Sequence, residues 1–78
     1  VPTVLVVGPY RFFFYSNEYG EPVHIHVQRD SAIAKFWLSP QSLARSRGFS
    51  AQELTKLSRI VAEHRDQFEE RWNEYFGH

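Results

Sequence analysis

Apolar residues alternate with polar ones in short runs through the first half of the chain, then recur every three or four positions through its last third. That change of period predicts strands followed by helix. Thr3 to Val7 is short, β-branched and closed by Gly8-Pro9, a strand and its turn. Tyr10 to Tyr15 reads as a second strand in which only Arg11 is polar, so both of its faces should meet something. Ser16 to Pro22 carries turn residues and reads as a loop. Val23 to Gln28 alternates cleanly, with Val23, Ile25 and Val27 on one face and His24, His26 and Gln28 on the other. Ile33 to Leu38 follows suit, dividing Ala34, Phe36 and Leu38 from Ile33, Lys35 and Trp37.

The register of these last two strands can be argued. A hairpin centred between Arg29 and Asp30 sets His24 opposite Lys35, His26 opposite Ile33 and Val23 opposite Phe36, and only the His26 pair mixes polarity. A slip of one residue would push Lys35 toward the core, which a buried face forbids. His24, His26, Lys35 and Trp37 are therefore expected to share one face.

Ser39-Pro40 has the form of a helix start and Gly48 of a stop, which suggests a short helix from Pro40 to Arg47 with an extended segment as the alternative. The last element is clearer. Ser50 is a good N-cap with Glu53 placed to close a capping box. Leu54, Leu57, Val61, His64, Phe68, Trp72 and Tyr75 then form a stripe that Ile60 and Phe76 widen. One long helix is expected, or two with a bend near His64. Residues 1–78 thus read as a single α+β domain: a small antiparallel sheet of about four strands packed against a long C-terminal amphipathic helix.

At 78 residues without cysteine, neither disulfides nor thiolate metal sites can staple the fold, so it must rest on its core. Seven Phe, four Tyr and two Trp suit that, and they exceed what one small core needs, so some should belong to an interface. Nine basic residues balance nine acidic ones, which argues against a purely electrostatic nucleic-acid binder. Arg45, Arg47, Lys56 and Arg59 nevertheless cluster, either as a solvated face or as a patch for phosphate or an acidic partner. Val1 to Val7 lacks a basic leader region and reads as a strand rather than a signal peptide, and no run approaches a membrane span. A cytoplasmic protein is expected.

His24 and His26, two positions apart on one strand, can converge on a single ligand. As metal ligands they would need a third partner, for which Glu21 and His64 are nearest by type. As acid and base they could divide proton transfer, with Lys35 stabilising developing charge, which is the logic of a metal-independent ribonuclease. As part of a recognition face they would join Arg11, Phe13, Tyr15, Lys35 and Trp37, rings interleaved with cations that suit unpaired bases or a protein hot spot. The plainer reading leaves them structural. His64 is expected to be a core histidine and His78 a frayed terminus. His24, His26 and Lys35 stand as the catalytic candidates. Arg11, Phe13, Tyr15, Trp37, Arg45 and Arg47 stand as the binding ones. No residue is assigned to a metal, and no cofactor is called for.

Several segments also carry a resemblance: Pro2-Thr3-Val4-Leu5, Tyr10-Arg11-Phe12-Phe13-Phe14-Tyr15-Ser16-Asn17, Gly20-Glu21-Pro22-Val23-His24-Ile25-His26-Val27, Ala34-Lys35-Phe36-Trp37-Leu38, Arg45-Ser46-Arg47-Gly48-Phe49 and Trp72-Asn73-Glu74-Tyr75-Phe76-Gly77. Together they resemble the small prokaryotic domain-of-unknown-function family numbered 4160, over essentially the whole chain. Its members are often encoded beside a second small protein, in an arrangement resembling toxin–antitoxin modules. The resemblance implies a cytoplasmic bacterial protein with a cognate small protein partner. The leading expectation is the toxin-side component of such a module, acting on RNA or its machinery. A non-catalytic regulatory or partner-binding module is the alternative, and a homo-oligomer is compatible with either. No catalytic residue can be transferred from the family.

Overall fold

The computed structural model describes residues 3–18 and 20–77. The expectations for Tyr19 in its loop and for His78 at the terminus lie outside the described residues. Five strands run in chain order as an antiparallel meander: β1 (Thr3–Val7), β2 (Tyr10–Phe13), β3 (His24–Arg29), β4 (Ala32–Leu38) and β5 (Gln41–Arg47). Two helices follow, α1 (Ala51–Glu63) and α2 (Arg65–Phe76). The α+β class is as expected, and the sheet has five strands where about four were expected.

The extra strand is the segment read as a short helix. Ser39-Pro40 forms the two-residue turn between β4 and β5, with Leu38 paired to Gln41. Gln41 to Arg47 has no helix-period apolar stripe, and pairing with β4 satisfies a backbone edge that would otherwise be bare. Along β4, neighbouring Lys35 and Phe36 pair with Arg45 and Leu43, so Ala44 is an extra residue in a bulge. The bulge turns Leu43 toward the Phe36 face and Arg45 and Arg47 toward the Lys35 face. Gly48 then sits against Ala32 at a φ of 90°, marking a close backbone approach rather than a helix stop.

The β3–β4 register differs from expectation by two residues. His24 pairs with Trp37, His26 with Lys35 and Gln28 with Ile33, and the turn centres on Asp30-Ser31. Asp30 takes a left-handed φ of 54°, which aspartate tolerates better than most residues. A two-residue shift keeps every side chain on its face, so the predicted faces survive.

One face of the sheet carries Tyr10, Phe12, Ile25, Val27, Ala34, Phe36 and Leu38, and the helices cover it with Leu57, Ile60, Val61, Phe68 and Trp72. Phe12 stacks on Phe68 at 5.4 Å between ring centroids. Lys56, Arg59, Glu63 and Glu70 face water, as the stripe requires, and Tyr75 lies at its exposed edge. The single long helix does not form. His64 ends α1 and donates from Nδ1 to the Ile60 carbonyl at 3.0 Å, a side-chain bond to the preceding turn that accompanies the break. His64 is accordingly a half-buried joint. Ser50 caps α1 by accepting the Glu53 amide at 3.1 Å, but the Glu53 side chain closes no capping box; it turns instead to Arg29 and Tyr10.

Candidate functional site

The opposite face of the sheet is where the chemistry-bearing residues gather. Period-2 alternation puts Arg11 and Phe13 of β2, His24, His26 and Gln28 of β3, and Lys35 and Trp37 of β4 on it, since paired residues share a face. The centre of this face is not open to water. His24 is 0%, His26 2% and Lys35 5% exposed. Glu18 and Glu21, from the connection between β2 and β3, reach back to their polar atoms.

Glu18 is the centre of that cover. Its Oε1 accepts the Tyr15 amide at 3.0 Å and lies 2.9 Å from His24 Nε2, while both carboxylate oxygens approach His26 Nε2, at 3.2 and 3.1 Å. The far nitrogen of His24, Nδ1, donates to the Pro22 carbonyl at 2.9 Å. Both nitrogens of this imidazole are therefore engaged. Burial raises the Glu18 carboxyl, but the bonds with His24, the Tyr15 amide and His26 outweigh it and hold the group below the usual carboxylate range. Burial pushes the His26 imidazole below its ordinary value against the opposing pull of Glu18, which favours the neutral ring. Among the described residues His26 Nδ1 has no hydrogen-bond partner.

Lys35 is likewise committed. Its ammonium bonds Glu21 at 2.6 Å and lies 4.4 Å from the centre of the Trp37 ring. That contact holds the Glu21 carboxyl below its usual range. Phe13 and Tyr15 pack on the His26 ring at 5.4 and 4.8 Å. Arg11 sits over Phe13 at 4.2 Å but is tied to Thr3 and Gln28, at the far end of the face.

Beside the buried cluster lies a cleft of about 280 Å³ lined by Tyr15, His26, Ile33, Lys35, Arg45 and Arg47. Arg45 and Arg47 are exposed and, among the described residues, have no acidic partner. The structure thus gathers Tyr15, His26, Lys35, Arg45 and Arg47 around one opening. His24, Trp37, Arg11 and Phe13 do not line it. Lys56 and Arg59 of the sequence cluster lie on α1 and do not line this cleft.

Glu18 was not among the residues singled out by sequence, where Glu21 was the nearer carboxylate. The available signal was weak: a glutamate in a loop that must return across a strand carrying two histidines. His64, the other sequence candidate for a third ligand, is spent on the helix joint.

The sequence model of one family, described as a domain of unknown function (DUF4160), matches residues 10–73. The chain belongs to that family. No curated protein and no solved structure matches it. Among the described residues no helix is long and apolar enough to cross a membrane.

Proposed function

We propose that this domain is an RNA-binding module, the toxin-side component of a toxin–antitoxin-like pair in the cytoplasm, and that it holds RNA rather than cutting it. The observation that carries the reading is the wall of the cleft. Arg45 and Arg47 stand beside Tyr15 and His26 with no acidic partner among the described residues, offering two forked donors for phosphate and a ring for a base. Holding rather than cutting follows from His24, which is fully buried with both nitrogens engaged. A ribonuclease that divides acid and base between two histidines would have only His26 to present. A cognate small protein with an acidic surface would complement the same wall.

Controlled expression in bacteria, with growth and total RNA followed together, tests the proposal. Arrested growth with intact RNA is the expected result. Arrested growth with cleaved RNA would turn the reading to a ribonuclease centred on His26, and unimpaired growth would remove the toxin role.

A further inference from the structure

The contact between His24 and Glu18 raises a question of charge. The Pro22 carbonyl can only accept, so His24 Nδ1 carries a proton, and Nε2 faces a carboxylate oxygen at 2.9 Å. A contact that short is favourable with a cation between the two atoms, either a proton shared by ring and carboxylate or a metal ion.

We infer that Glu18, His24 and His26 form a site for a divalent transition-metal ion of the zinc type. Two imidazoles and one carboxylate are a recurrent ligand set for such ions, leaving a fourth position open. One ligand atom from each residue falls within 4.8 Å of the others. Bonds of about 2.0–2.2 Å place neighbouring tetrahedral ligands roughly 3.3 Å apart. The Glu18 contacts, at 2.9 to 3.2 Å, need to open by only a few tenths of an ångström. Both Nε2 atoms address the same carboxylate, and the two imidazole planes cross at 88° with centroids 5.0 Å apart.

The surroundings are those of an oriented site. Metal-bound histidines commonly donate their other N–H to a carbonyl or carboxylate, and His24 does so to Pro22. The ligating carboxylate is itself fixed, by the Tyr15 amide. Lys35, paired with His26 across the strands, is neutralised by Glu21. With Nε2 of His26 on the metal, the proton of that ring moves to Nδ1, which has no other hydrogen-bond partner among the described residues. The site stands independently of the RNA reading.

The test is zinc titration of the chelator-stripped protein by calorimetry, with cobalt as a spectroscopic probe. One zinc per chain is expected, with a cobalt visible band of tetrahedral intensity and a rise in melting temperature. Glu18→Gln and His26→Gln, each checked for native circular dichroism, should weaken zinc binding at least tenfold, while His64→Gln should not. Failure to bind zinc or cobalt below millimolar concentration would overturn the inference, as would binding that Glu18→Gln retains or His64→Gln abolishes. Nitrogen-15 shifts showing both His24 nitrogens protonated, and unmoved by zinc, would assign the bridging charge to a proton and overturn it equally.

Discussion

Glu53 shows how one side chain couples the helix layer to the sheet. Its carboxylate accepts from Arg29 Nε at 2.7 Å and Nη2 at 3.0 Å, and from the Tyr10 hydroxyl at 3.0 Å. The Arg29 guanidinium holds the carboxyl below its usual range, outweighing partial burial, while burial and the Glu53 neighbour push the Tyr10 phenol up. A carboxyl with a depressed folded-state pKa stabilises the fold above its unfolded value, about 4.3, and loses that contribution as pH falls through its folded value. Melting temperature should therefore drop on acidification from pH 5 downward. Glu53→Gln should melt lower at neutral pH and show a shallower acid slope, with a remainder from Glu18, which His24 and the Tyr15 amide hold low, and Glu21, which Lys35 holds low. An unchanged acid slope in that variant would show that the Arg29 contact is too well solvated to matter.

Among the elements, the corner joining β5 to α1 is closely packed. A Cβ on Gly48 would lie 3.0 Å from both the Cα and Cβ of Ala32, and its φ of 90° disfavours any side chain. Gly48→Ala should cost about 1–3 kcal/mol in chemical denaturation, the usual price of such a backbone. A loss below about 0.5 kcal/mol would mean that the corner can move off β4. The same corner shows why β5 was hard to read. Ser39-Pro40 and Gly48 bracket it with helix signals, and the Ala44 bulge breaks its alternation, whereas β3 and β4 alternate without interruption and were legible. Their register was not, because registers two residues apart give the same faces and the turn at Asp30 decides between them. Leu57, Val61, Phe68 and Trp72 were legible as the buried stripe, and the break at His64 was foreseen only as an alternative. For the site, period two was enough to bring His24, His26 and Lys35 to one face. Their burial was not, since it depends on Glu18 and Glu21 folding back from a loop without periodicity.

Across the whole molecule, charge neutrality conceals a separation of roles. Arg29 is used by Glu53 and Lys35 by Glu21, so the cations that fasten the fold are distinct from Arg45 and Arg47 on the cleft wall. A side chain that is exposed and unpaired contributes little to stability, usually within about 0.5 kcal/mol. Arg45→Gln with Arg47→Gln should therefore leave the denaturation midpoint nearly unchanged while removing most binding to single-stranded RNA. Each phosphate contact on a single strand contributes about −0.7 to the slope of log affinity against log salt. The double variant should consequently flatten that slope by about 1.4, measured by fluorescence anisotropy of a labelled oligonucleotide between low and moderate salt. If affinity falls while the slope stays put, the arginines act by stacking or packing and the phosphate assignment is wrong. If neither changes, RNA does not use this wall, and the unpaired arginines would be better matched to an acidic protein surface.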